Sequence, residues 1–166
     1  ATTIRAIIFP MPSSDSAGAI LTVDLAALVA NYRRLRAELG AVECATVVKA
    51  DAYGLGMAPV ARALADAGCQ SFFVAHQMEG QALRALLAEA DIYVLHGPMP
   101  GTEAAFAADR LIPVLSTPAQ VDGWLAAVPN HPAALHLDSG LNRLGLSPAQ
   151  LDDLLATPDR LAALDL

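Results

Sequence analysis

Lysine is almost missing from this sequence. Of 166 residues only Lys49 is a lysine; the other nine basic side chains are arginines. Charge is scarce altogether, at 16% of residues, and the 17 acidic side chains outnumber the 10 basic ones, for a net charge of −7. That balance excludes an extended phosphate-binding surface, so nucleic acid is not an expected partner. No apolar run approaches the roughly 20 residues of a membrane span, because Asp24 and Asp109 break the best stretches. The apolar patch at residues 4–9 holds Arg5 and runs at once into Pro10 and Pro12, too short for a secretory core. The first residue is not Met. The two cysteines, Cys44 and Cys69, lack motif spacing, which excludes a disulfide framework; they read as buried thiols of a reduced compartment, the cytoplasm. No spacing of ligand types points to a metal.

Apolar residues, by contrast, are abundant at 55%. They fall into alternating short and long blocks. Residues 1–19 read as an arm, with a loop at Pro12-Ser13-Ser14-Asp15-Ser16. A short strand over 20–23 leads to Asp24, whose carboxylate can cap the next helix. Leu25, Leu28, Val29, Tyr32, Leu35 and Leu39 recur at helical spacing until Gly40. Strands are then expected over 45–49, 71–75, 92–95, 112–115 and 133–137. Helices are expected from Pro59 to Ala67, 79–89, 103–108, Pro118 to Ala127 behind the cap Thr117, and from Pro148 behind the cap Ser147. Residues 164–166 look like the approach to a further element.

Five continuous apolar strands, each followed by a helix, imply an α/β fold with a parallel sheet covered on its faces. An open doubly wound sheet fits, and so does part of a (β/α)₈ barrel.

Lys49 sits in Val47-Val48-Lys49-Ala50-Asp51-Ala52-Tyr53-Gly54-Leu55-Gly56. A lysine closing a buried strand is often a Schiff-base lysine, since desolvation frees its amine. Tyr53 and the turn Gly54-Leu55-Gly56 offer a phenol and backbone N–H groups to a phosphate. A lysine whose head simply reaches solvent beside a tight turn explains the same residues. The local sequence leaves both readings open. Gly54-x-Gly56 lacks the third glycine of a dinucleotide fingerprint.

This stretch resembles the cofactor signature of the alanine racemase family. A second block, Leu137-Asp138-Ser139-Gly140-Leu141-Asn142-Arg143-Leu144-Gly145, resembles that family's later D-[ST]-G-[ML]-x-R-[LF]-G segment. The resemblance runs from Leu21-Thr22-Val23-Asp24-Leu25 to the end of the chain. It implies that residues 20–166 are the first part of a pyridoxal 5'-phosphate barrel of TIM type, with about five of eight βα units and the C-terminal β domain absent. It also implies interconversion of L- and D-alanine by a homodimeric enzyme, supplying D-alanine as a peptidoglycan precursor. By position, Lys49 would bond the cofactor and act as one of two bases, and Tyr53 would reach the phosphate. Arg143 would contact the cofactor's phenolic oxygen and the substrate carboxylate. The opposite base, a tyrosine of the other subunit's C-terminal domain, is not in this chain, so the segment alone is expected to be inactive. Serine or broader specificity, or a non-catalytic cofactor-binding module, fits the same residues.

One position departs from the pattern. Where many family members carry a carbamylated lysine, this chain has His136, which cannot supply that anion and would repel Arg143 if charged. His76 and His96 follow strands and would line the barrel mouth. His131 falls in a Pro-flanked turn, and Trp124 reads as core.

Overall fold

The computed structural model describes residues 3–6 and 19–166, with side chains from residue 19 onward. The arm expected over residues 1–19 contributes a strand, β1 (Thr3–Ala6), paired antiparallel with β2 (Leu21–Asp24) from Thr3↔Asp24 to Ala6↔Leu21. The loop expected at 12–16 lies outside the described residues. Asp24 both ends β2 and caps α1 (Leu25–Leu39): its Oδ1 accepts from Ala26 N at 2.9 Å and Ala27 N at 3.1 Å. Gly40, at φ +63°, ends the helix. Along the expected apolar stripe only Leu25 and Tyr32 are buried, whereas Leu35 is 60% exposed. Helical spacing reveals which residues share a face; it does not supply an element to cover that face.

The body of the chain is a parallel sheet of β3 (Thr46–Val47), β4 (Ser71–Val74), β5 (Asp91–Val94), β6 (Ile112–Leu115) and β7 (Ala134–Leu135), in that order. Between and after the strands run α2 (Lys49–Tyr53), α3 (Met57–Asp66), α4 (Gln77–Leu86), α5 (Glu103–Ala108), α6 (Pro118–Ala127), α7 (Pro148–Leu155) and α8 (Pro158–Ala162). Strand order equals chain order, with no reversal. A doubly wound sheet reverses direction at its switch point, so this topology is that of a partial (β/α)₈ barrel. Beyond α8, Asp165 forms a parallel bridge with Pro132, so residues 164–166 do approach a further strand.

Burial alternates along β4 and β5 from their second residues, whereas Pro113, Val114 and Leu115 of β6 are buried in a row. Phe72, Val74, Ile92, Val94 and Leu115 are fully buried, as are Leu83, Phe106 and Trp124 of the helices. Phe106 and Trp124 meet edge to face at 6.3 Å, and the indole N–H donates to His131 O. The opposite residues of the ladder, Val47, Phe73, Tyr93 and Ile112, line the inner face and are exposed or half-buried. Phe73 and Tyr93 stack there, centroids 4.6 Å apart and 12° from parallel. Burial raises the pKa of the Tyr93 phenol, and the Asp91 carboxylate adds to it.

Several boundaries differ from the sequence expectation for local reasons. Asp51 Oδ1 accepts from Met57 N at 2.6 Å, so α3 starts two residues before Pro59 and Pro59 sits in its first turn. His76 and Glu79 form a reciprocal cap that starts α4 at Gln77 instead of residue 79. The strand expected over 45–49 is only Thr46–Val47, because the backbone turns away after Val48. At the amino ends of the strands, Arg84 donates to five carbonyl oxygens, those of Leu87, Ala88, Ala90, Asp109 and Arg110.

Candidate functional site

Lys49 follows β3 at its carboxyl end, half-buried, where a barrel assembles its chemistry. Val48 N donates to Phe73 O at 2.9 Å and keeps the ladder running to the residue before Lys49. Lys49 comes next, where the backbone leaves the strand: Val48 has φ −123° and ψ 19°.

The backbone beside it is unusual. α2 is a single turn, and it is left-handed: φ is +51° at Ala50, +53° at Asp51, +54° at Ala52 and +56° at Tyr53. L-residues pay roughly 1–2 kcal/mol each for this conformation, and it normally occurs one residue at a time. Backbone hydrogen bonds offset the cost: Ala52 N donates to Val48 O, Gly54 N to Ala50 O, and Gly56 N to Asp51 O. Side chains hold both ends. Asp51 caps α3 at Met57 N, and Glu79 accepts from Ala50 N at 2.7 Å.

The Glu79 carboxylate also accepts from Ala75 N at 2.7 Å and His76 N at 3.0 Å. Burial alone would raise its pKa; the N–H groups of Ala50, His76 and Ala75 outweigh that and hold it below the usual carboxylate range. Glu79 was not among the candidates found in the sequence, where it marked only the start of a helix. Its partner Ala50 is 29 residues away, a separation at which no spacing rule operates.

The left-handed turn swings Tyr53 back beside Lys49, whose Nζ lies 6.0 Å from the phenol ring centroid. Tyr53 itself is 64% exposed. His76 and His96 stand at the ends of β4 and β5 with ring centroids 5.3 Å apart. At the ends of β6 and β7, Ser116 Oγ and His136 Nδ1 are 3.5 Å apart.

Arg143 lies on the loop after β7. That loop is pinched at its base by Leu146 N donating to His136 O at 2.7 Å and Asp138 N donating to Leu146 O at 2.9 Å. Inside it, Asp138 Oδ1 accepts from Gly140 N and Asn142 N, both at 3.0 Å, and these bonds lower the Asp138 pKa. Arg143 is exposed on the loop, four strands along from Lys49. In an eight-stranded barrel, strands four apart face each other across the mouth. Lys49 with Tyr53 follows the first strand of the five-stranded sheet, and Arg143 follows the last.

Among the described residues, none of Lys49, Tyr53 and Arg143 has a side-chain hydrogen bond or ion pair; the two ion pairs are Arg110–Glu89 and Arg160–Asp122. A cavity lined by Val121, Leu146, Leu154 and Arg160 lies between α6 and α7.

The fold is part of a barrel, with Lys49 just after the first strand of the sheet and Arg143 on the loop after the fifth. The chain belongs to the alanine racemase, N-terminal domain, family, which matches residues 23–166. It is 52% identical over 148 residues to the alanine racemase of Methylobacterium nodulans, covering 87% of this chain and 40% of that protein. It is 48% identical over 159 residues to a catabolic alanine racemase of Mesorhizobium japonicum, covering 93% and 42%. Among solved structures, the alanine racemase of Bartonella henselae with covalently bound pyridoxal phosphate is 35% identical, with a TM-score of 0.83 over 87% of this chain and 43% of that one. The chain spans about two fifths of the length of these relatives.

Proposed function

We propose that this chain is the lysine-bearing part of the cofactor barrel of an alanine racemase, and that its cofactor is pyridoxal phosphate. The observation that carries the reading is the Lys49 amine just after β3, beside the Tyr53 phenol and without a hydrogen-bond or ion-pair partner among the described residues. The relatives that share this segment are named alanine racemases, and one holds pyridoxal phosphate covalently.

The donor set fits that cofactor. Lys49 would hold it covalently, and the exposed Tyr53 hydroxyl would donate to its phosphate. Arg143 would meet planar oxygens, the phenolic oxygen of the cofactor and the substrate carboxylate, with its paired N–H groups. Bound there, the cofactor supplies an electron sink for a carbanion next to an amine. Lys49 removes or returns the proton at the alanine Cα on one face. Inversion needs a second acid–base group on the other face. We assign it to a residue outside this chain, contributed across a homodimer. D-Alanine synthesis in the cytoplasm is the role we attach to the whole enzyme; the unpaired thiols of Cys44 and Cys69 agree with that compartment.

The test is to incubate the chain with pyridoxal phosphate, reduce with borohydride and map the peptides. Lys49 is the only lysine, so the α-amino group is the single competing amine. The pyridoxyl group is expected on the peptide containing Lys49 and absent after Lys49→Ala. A chain labelled only at its amino terminus would sink the proposal.

A further inference from the structure

We infer that Glu79 is a positioning residue for the cofactor lysine, acting on the backbone next to Lys49 and not on the cofactor. This rests on the reading of Lys49 given above.

Glu79 has an ordinary task. One oxygen, Oε2, accepts from Ala75 N and His76 N and closes the cap that starts α4. A helix cap needs nothing more. The other oxygen, Oε1, is turned away from its own helix to Ala50 N, at 2.7 Å. Ala50 directly follows Lys49 and is the first residue of the left-handed turn. One carboxylate therefore fastens that turn to the end of the neighbouring strand.

This matters because the turn is intrinsically disfavoured. Four consecutive L-residues with positive φ will relax toward right-handed backbone unless something holds them. Relaxation at Ala50 would rotate the Cα–Cβ bond of Lys49 and carry Tyr53 away from the amine. Asp51 at Met57 N secures the far end of the turn, and Glu79 secures the end next to Lys49. A charged acceptor suits the task, since bonds to a carboxylate are about twice as strong as neutral ones. Placement errors of about 1 Å cost a reacting group roughly a hundredfold in rate.

The experiment measures two quantities on the 166-residue chain: the rate of borohydride-trapped pyridoxal phosphate incorporation at Lys49, and amide hydrogen exchange at Ala50 through Tyr53. Glu79→Ala is expected to slow labelling at Lys49 by about tenfold or more and to speed exchange at Ala50. Glu79→Gln keeps one acceptor oxygen and the helix, and it is expected to fall between the parent and Glu79→Ala. Leu83→Ala, a cavity in the same helix, controls for lost stability. It should lower the unfolding midpoint while leaving labelling within about twofold, because it leaves the carboxylate in place. Two results overturn the inference while the Lys49 reading stands: labelling unchanged in Glu79→Ala, or slowed equally by Leu83→Ala. A parent chain that takes no label at Lys49 overturns both, and unchanged exchange at Ala50 in Glu79→Ala overturns the clamp.

Discussion

Replacing Gly145 by alanine should be among the most damaging single-methyl additions this chain can receive. Gly145 has φ +109°, and a Cβ built there falls 2.7 Å from Asp138 N, 2.9 Å from Leu137 C and 3.1 Å from His136 O. All three are backbone atoms of the strand end that pinches the Arg143 loop, so no side chain can swing aside. Gly140, in the same loop, has φ +115° and nothing within 4 Å of its Cβ position. The pair separates two costs. The backbone conformation alone costs an alanine about 1–3 kcal/mol at either position. At Gly145 the contact must also be relieved, and the two hydrogen bonds of the pinch are the ones to give, at about 1 kcal/mol each. The next residue, Leu146, is only 2% exposed, so the loop cannot peel back without uncovering core. Gly145→Ala is therefore expected to lose about 2 kcal/mol more than Gly140→Ala. Urea unfolding followed by circular dichroism reads this directly: with a slope of roughly 2 kcal/mol per molar, the midpoints should differ by about 1 M. Equal midpoints for the two variants would refute the reasoning, because they would mean that the contact costs nothing.

Other expectations follow from separate parts of the structure. Arg84→Met should lower stability by about 2 kcal/mol, and Arg84→Lys should recover less than half of it, since a single ammonium cannot span five carbonyl oxygens; thermal unfolding measures both. The folded-state pKa of Asp138 is depressed, so its contribution is present above the unfolded carboxylate value and is lost as pH falls through the folded one. The Gly140 and Asn142 amides should accordingly lose exchange protection only in that acid window, and in Asp138→Asn they should show no such step. Burial raises the pKa of the Cys69 thiol, which also meets Thr46 Oγ1 at 3.3 Å, so a thiol reagent at neutral pH should modify the half-buried Cys44 first; preferential reaction at Cys69 would contradict the packing.

Much of the architecture was legible because it is written locally. Asp24, Thr117 and Ser147 each cap the helix that follows them, as their side chains and the next few residues foretell. The five strands announce themselves as apolar runs at regular intervals, and strand order then chose the barrel over the doubly wound sheet. Lys49, Tyr53 and Arg143 stand out through two motifs; Lys49 and Tyr53 follow β3, and Arg143 lies on the loop after β7. What escaped depends on distant partners. Nothing in Lys49-Ala50-Asp51-Ala52-Tyr53 betrays left-handed backbone, because what holds it includes a carboxylate 29 residues on. The pairing of β1 with β2 joins residues roughly twenty apart across a segment of poor pattern. Leu35 keeps its place on the apolar stripe of α1 without a neighbour to cover it.

The left-handed turn carries one further consequence, for how this stretch tolerates change. From Ala50 to Tyr53 the chain traces the mirror image of an ordinary helical turn, so the usual ranking of helix formers is inverted there. Glycine, elsewhere the weakest choice after proline, becomes the relaxed one. At the exposed Ala50, Ala50→Gly should raise stability by about 1 kcal/mol, where the same change inside α1 would lower it by a similar amount. β-Branched residues, welcome in the strand just before it, become the most costly. A D-residue placed synthetically at Ala50 would suit the backbone better than the natural one. The segment that carries the lysine of this family is thus a short run in which an L-chain has adopted the opposite hand.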